Sequence, residues 1–220
     1  MAKNGSSLKV HLDHFIARQS LRYIQPNSIT DEDRVAPISS ERDRNIRYED
    51  ITRDDGWFTR IRKPDFQRET NAWTPEDCVD FLDSVVNGRI IPSIILWQSQ
   101  ENGLVYVLDG AHRLSVIRAW IVDDWGDKAG NYYERRDKNL VGKAADSVRD
   151  LVNLKVGFFD AFRKAADEMD RLIQQGEAPK KEMDPRRFEQ AQFYNDVVRG
   201  LRTLYVQWEQ GGYETAEGSF

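Results

Sequence analysis

Two β-rich runs, Ser93-Ile94-Ile95-Leu96-Trp97-Gln98 and Leu104-Val105-Tyr106-Val107-Leu108, flank the turn Glu101-Asn102-Gly103. Branched and aromatic residues on either side of Asn-Gly form a hairpin, because Asn and Gly accept the positive φ that tight hairpin turns need. The second run passes directly into Asp109-Gly110, and a helix is predicted from Ala111 to about Val122. The chain therefore mixes sheet and helix, with a helix leaving the end of a strand.

Elements on either side extend this block. Trp57-Phe58-Thr59-Arg60-Ile61-Arg62 alternates in its last four residues and reads as a short strand ending before Pro64. Thr74-Pro75-Glu76-Asp77 is a helix start, with Thr74 as N-cap, Pro75 at the first helical position and acids in the first turn. Cys78, Phe81, Leu82, Val85 and Val86 follow at helical spacing, and Gly88 closes the helix. Downstream, apolar residues from Val148 to Ile173 predict helix between Ala144 and about Gly176, broken near Gly157. A last helix is predicted from Pro185, with Phe188, Ala191, Tyr194, Val198, Leu201, Leu204, Tyr205 and Trp208 on one stripe. The expected organisation is a polar N-terminal extension over residues 1–45, an α+β domain over 46–125 and a helical region over 140–210.

Composition bounds the function. The 220 residues carry 37 acids and 32 bases, a net charge of −5, which argues against a uniformly basic nucleic-acid coat. Charge is uneven along the chain. Trp57–Arg68 holds four bases and one acid, whereas Glu69–Asp109 holds seven acids and one base. The acidic total thus conceals a basic strand. One cysteine forms no internal disulfide, and three histidines leave little room for a zinc site. No apolar stretch approaches the roughly 20 residues of a spanning helix, and Met1–Ser7 lacks an apolar signal core. A soluble, cytoplasmic chain with no membrane partner is expected.

The chemistry concentrates in two segments, Pro64-Asp65-Phe66-Gln67-Arg68 and Asp109-Gly110-Ala111-His112-Arg113. A helix starting at Ala111 offers unpaired N–H groups and the positive end of its dipole to an anion. Gly110 lets a ligand approach the backbone. His112 and Arg113 sit in this first turn, where the dipole disfavours positive charge, and a bound phosphate would resolve the conflict. Asp109 is then placed to hold Mg²⁺ on the same phosphates or to orient a water. A purely structural reading accounts for the same residues. In it, Asp109 caps the helix, Gly110 serves the turn and Arg113 pairs with Asp109.

The order Pro-x-Phe-Gln-Arg-Glu, Trp73-Thr74-Pro75-Glu76, Ile91-Pro92-Ser93-Ile94-Ile95-Leu96 and Val107-Leu108-Asp109-Gly110-x-His112-Arg113-Leu114 resembles the N-terminal domain of GmrSD-type restriction endonucleases. That family falls in the ParB/sulfiredoxin-like superfamily, and the resemblance covers about residues 46–122. It implies an α+β fold with a small mixed sheet and helices, here followed by a helical C-terminal region. It implies a site that binds and hydrolyses a nucleoside triphosphate with Mg²⁺, in DNA restriction and phage defence. Carried over by position, Gln67, Arg68, Gly110 and Arg113 contact the nucleotide, and Asp109, His112 and Arg113 form the catalytic motif, with Asp109 as the metal ligand. The family usually reads Asp-Gly-Gln-Gln-Arg. Here Ala111 and His112 occupy the third and fourth positions, and the alanine removes a polar contact. Trp73 matches a family aromatic and is read as packing, with base stacking as the second reading.

Nuclease chemistry is not visible in this sequence. No histidine follows His112, as an HNH site requires, and no lysine has an acid two positions ahead, as a PD-(D/E)xK site requires. A separate nuclease domain or subunit is the expected partner, and the C-terminal helices are candidates for a homodimer interface. Three functions remain open at this point: an NTP-hydrolysing module of a restriction system, a non-hydrolytic DNA-binding or regulatory module with the same fold, and a direct metal-dependent nuclease. Contact with DNA would use Arg60, Arg62 and Lys63 and weaken steeply with salt. The same bases also suit a solvated strand edge.

Overall fold

A computed structural model of the chain describes residues 8–19, 45–52, 57–64, 73–99, 104–130, 137–199 and 203–209. Six strands form one mixed sheet: β1 (Arg18–Gln19), β2 (Asn45–Arg47), β3 (Ile61–Pro64), β4 (Ile94–Gln98), β5 (Val105–Asp109) and β6 (Thr203–Glu209), in the order β1-β3-β5-β4-β6-β2. Helices α1 (Tyr48–Thr52), α2 (Pro75–Val86), α3 (Ala111–Val122), α4 (Lys138–Lys155), α5 (Phe159–Gln174), α6 (Pro179–Glu182) and α7 (Pro185–Phe193) complete an α+β fold whose C-terminal half is mostly helical. Among the described residues, no helix is long and apolar enough to cross a membrane.

The local signals around the hairpin are realised. β4 and β5 pair antiparallel, with Trp97 opposite Tyr106; their connecting turn lies outside the described residues. Residues alternate between faces along a strand, so Ile94, Leu96, Val105 and Val107 join the main core, and Trp97, Tyr106 and Leu108 form a separate cluster. α2 starts with a full capping box. Asp77 N–H donates to Thr74 Oγ1 at 3.2 Å, and Thr74 N–H donates to Asp77 Oδ2 at 2.8 Å. α3 spans Ala111–Val122, and α4 and α5 are separated at Gly157, whose φ is +109°. A side chain there would sit 2.7 Å from Gln190 Nε2, so glycine serves both the turn and the close packing. Its carbonyl accepts from Trp120 Nε1 at 2.9 Å, tying α3 to the α4–α5 corner.

Three expectations are revised. Trp57–Arg60 is a turn of 3-10 helix, and the strand follows it, including Pro64. Parallel pairing with β1 and β5 sets this register and carries the strand through Pro64, which lies beside Gln19 of β1. The helix predicted to run from Pro185 to Trp208 ends at Phe193, continues as a π-helical turn over Tyr194–Arg199 and gives way to β6. Leu204 is buried and Val206 and Trp208 pack on the core, whereas Tyr205 is exposed, a period of two rather than 3.6. Finally, the N-terminal segment is not uniformly polar surface. Val10, Leu12 and Ile16 are each at most 2% exposed and belong to the main core. The charged run Thr30–Arg44 lies outside the described residues.

The sheet's directions place the site. β1, β3 and β5 are mutually parallel, with Arg18 beside Lys63, Gln19 beside Pro64 and Ile61 beside Val105. Their carboxyl ends, Gln19, Pro64 and Asp109, therefore share one edge. Ligands of open α/β sheets gather at that edge, where helix N-termini and loops converge.

Candidate functional site

The junction from β5 to α3 is built on Gly110, whose φ of +98° makes it the N-cap of α3. This left-handed backbone suits glycine. A glycine offers no side chain to cap the helix, and no side chain caps this end of α3. No acidic residue occupies its first turn either. α2, α4 and α7, by contrast, are capped by Thr74, Asp137 and Asp184. The first N–H groups of α3 thus retain the positive partial charge of an open helix terminus.

Arg113 folds back over that terminus. Its Nη2 pairs with Asp109 Oδ2 and donates to the Ser93 carbonyl at 3.3 Å. A Cβ on Gly110 would lie 3.1 Å from Arg113 Nη2 and 3.0 Å from Ile94 Cγ1. The positive φ favours glycine here, and Ile94 and the arginine's own guanidinium crowd the place where a side chain would begin. Asp109 does not cap α3. Its side chain is 63% exposed, against 11% for Arg113. The junction therefore presents an exposed carboxylate, a fixed guanidinium and an uncapped helix start.

His112 occupies the inner side of this turn. Its ring stacks on Trp73 at 5.7 Å between centroids, with planes 15° apart, and Trp73 meets Phe81 edge-on. Trp73 thus packs against both rings. His112 Nε2 is buried and makes no hydrogen bond among the described residues. Burial holds the imidazole below its ordinary pKa, and the nearby Lys63 ammonium pushes in the same direction. Asp13 and Asp109 act oppositely.

The basic residues of β3 are not arranged as an open strip. Lys63, expected to face DNA, is buried, and its ammonium pairs with Asp13 Oδ1 at 2.6 Å. Its position on the inward face of β3, shared with Ile61, accounts for this correction. Arg62 donates to Gln19 Oε1 at 3.2 Å and to the Thr59 and Ile61 carbonyls. Arg60 is half-buried at the end of the 3-10 turn. Gln67 and Arg68 lie outside the described residues; the chain enters that segment from Pro64, at the same edge as Asp109. Among the described residues, no group of three or more His, Cys, Asp or Glu side chains is arranged to hold a metal ion.

Asp13 was not singled out from the sequence, and its partner lies fifty positions away. A lone acid in a polar-looking terminus gives no cue to such a contact.

These features define an α+β domain with an uncapped strand–Asp-Gly–helix junction at the carboxyl edge of its parallel strands. A model of the family described as "GmrSD restriction endonuclease, N-terminal domain" matches residues 46–211. The chain belongs to that family, and so is a component of a restriction, phage-defence system. The match runs from β2 through β6, well beyond the motifs legible over residues 46–122. No curated protein and no solved structure matches the chain.

Proposed function

We propose that the carboxyl edge of β1, β3 and β5 binds the phosphates of a nucleoside triphosphate, and that the chain is the nucleotide-dependent module of its restriction system. The observation that carries this reading is the uncapped start of α3 with the Arg113 guanidinium fixed over it. Anions bind such termini through backbone N–H groups, and a guanidinium adds charge-assisted bonds. A phosphate would compete with Asp109 for Arg113, turning an internal ion pair into a ligand clamp.

Gln67 and Arg68, which the family resemblance assigns to the nucleotide, would contact the same phosphates. Asp109 supplies an exposed carboxylate suited to Mg²⁺, which ordinarily takes one or two carboxylates beside nucleotides and its other ligands from phosphate and water. Bound there, Mg²⁺ would neutralise charge on the phosphates. His112, whose pKa burial lowers, would accept or pass a proton at a ring nitrogen.

Phosphate release should be measured with ATP, GTP, CTP and UTP and Mg²⁺, with and without DNA. Turnover of one nucleotide, lost in Arg113→Ala, supports hydrolysis. Equal background in both proteins removes hydrolysis. Tight binding without turnover selects the non-hydrolytic regulatory module instead.

A further inference from the structure

Past its first turn, α3 is enclosed by the protein. Leu114, Val116, Ile117, Ala119 and Trp120 are each at most 3% exposed, and two polar residues, Ser115 and Arg118, are buried among them. With His112 these two stand at successive steps of three along the helix. Residues three apart are neighbours on a helix surface, with about 5–6 Å between Cβ atoms. Arg118 finds partners: its Nη1 donates to the Ile51 carbonyl, and its guanidinium lies over the Phe58 ring at 5.8 Å. Ser115 Oγ and His112 Nε2 are different. Both atoms are buried, and neither makes a hydrogen bond among the described residues.

Buried polar atoms are rarely left in that condition, because a desolvated hydroxyl or ring nitrogen costs free energy until something answers it. Within one turn of Ser115 along α3, Ala111 and Ala119 end in methyl groups and Arg118 is engaged at Ile51. His112 is the remaining polar neighbour. Helical side chains lean toward the helix start, so Ser115 Oγ is carried toward the His112 ring. Two orphan atoms at adjacent positions of one buried stripe call for a shared partner. Ser115 is 1% exposed, too enclosed for a group of a nucleotide to reach. A water is small enough, both donates and accepts, and ordinarily serves buried groups of this kind.

We propose that Ser115 Oγ and His112 Nε2 hold one enclosed water, and that Ser115 acts through it as the positioning residue of His112, fixing the ring on Trp73 and the nitrogen that carries its proton. The water site stands on this geometry alone. Its value for proton transfer beside Asp109 and Arg113 rests on the nucleotide reading above.

The test uses the full chain and three variants: Ser115→Ala, His112→Phe, which keeps a ring to stack on Trp73, and the two combined. Thermal unfolding comes first. A hydroxyl without a partner would make Ser115→Ala stabilising, because the change removes a buried orphan and improves helix propensity. A hydroxyl that holds a water makes the change destabilising, and the expected result is a midpoint lowered by roughly 2–4 °C. An equal or raised midpoint overturns the proposal. In the His112→Phe background Ser115→Ala is expected to lose its destabilising effect, since the water has already lost one anchor. Equal effects in both backgrounds overturn the shared site. The second arm reads the ring itself. At a pH where the imidazole is neutral, the ¹⁵N resonance of His112 Nε2 is expected to move in Ser115→Ala while those of His11 and His14 stay in place. An unmoved His112 resonance overturns the positioning role. If His112→Phe does not fold, this resonance and the Ser115→Ala midpoint decide. Failure of the wild type to bind any Mg²⁺-nucleotide overturns the nucleotide reading and leaves the water site intact.

Discussion

Gly110 meets two demands at once: a backbone at φ +98° and the close approach of Arg113 and Ile94. Gly110→Ala should therefore cost about 1–3 kcal/mol, read by denaturant unfolding. An unchanged midpoint would contradict this account of the turn. His112 makes a second residue-scale prediction. Its folded pKa lies below the ordinary value, so the unfolded chain binds more protons as the medium turns acid. The associated stability is full above the ordinary histidine value. It falls as pH drops through that value, and the loss is complete below the lowered folded pKa. Wild type should lose more stability than His112→Gln between about pH 7.5 and 5.5, a window set by the ordinary histidine pKa. Equal losses would show that the imidazole titrates as it does in the unfolded chain. At this scale the sequence exposed Asp109, Gly110, His112 and Arg113 because they are contiguous at a strand–helix junction. It concealed the environment of Lys63, since a lysine in a basic run gives no sign that its ammonium is buried against Asp13.

Elements with strong local chemistry were legible, and those decided by distant partners were not. α2 follows from Thr74-Pro75 and the acids after it, and the structure shows both halves of its capping box. Thr74→Ala should destabilise the protein by about 1 kcal/mol, measured by thermal or denaturant unfolding. The backbone N–H of Thr74 and, after it, the Thr74 hydroxyl hold the Asp77 carboxyl below its ordinary pKa; Thr74→Ala keeps the first and removes the second, which donates to Asp77 Oδ2 at 2.9 Å. That contribution is present above the ordinary aspartate value and disappears as pH falls through the lowered one, so the cost of Thr74→Ala should shrink in acid. A pH-independent cost would exclude the bond from the Thr74 hydroxyl to the Asp77 carboxylate. β6 was misread because Leu201, Leu204, Tyr205 and Trp208 also fit a helical stripe. The alternation of buried Leu204 with exposed Tyr205 emerges only because β4 and β2 offer both edges of the strand a partner. β3 begins later than its sequence suggests for the same kind of reason: β1 and β5 set its register.

Over the whole molecule, the sheet is assembled from both ends of the chain. β1 lies at one edge, and β6 inserts between β4 and β2. A chain ending at residue 200 would leave β4 unpaired on that side. Unpaired strand edges recruit other strands, so this truncation should aggregate or elute as high oligomers in size-exclusion chromatography. A monodisperse, folded product would contradict the described role of β6. The parallel strand ends and the uncapped α3 converge on one edge of this sheet. Calorimetric titration with the four Mg²⁺-nucleotides, comparing wild type with Arg113→Ala at matched folding, tests that convergence most directly. The account predicts that at least one nucleotide binds wild type and that the variant binds it about tenfold or more weakly, the scale of a lost guanidinium–phosphate bond. Equal affinity in the two proteins, or no binding by wild type, would contradict it.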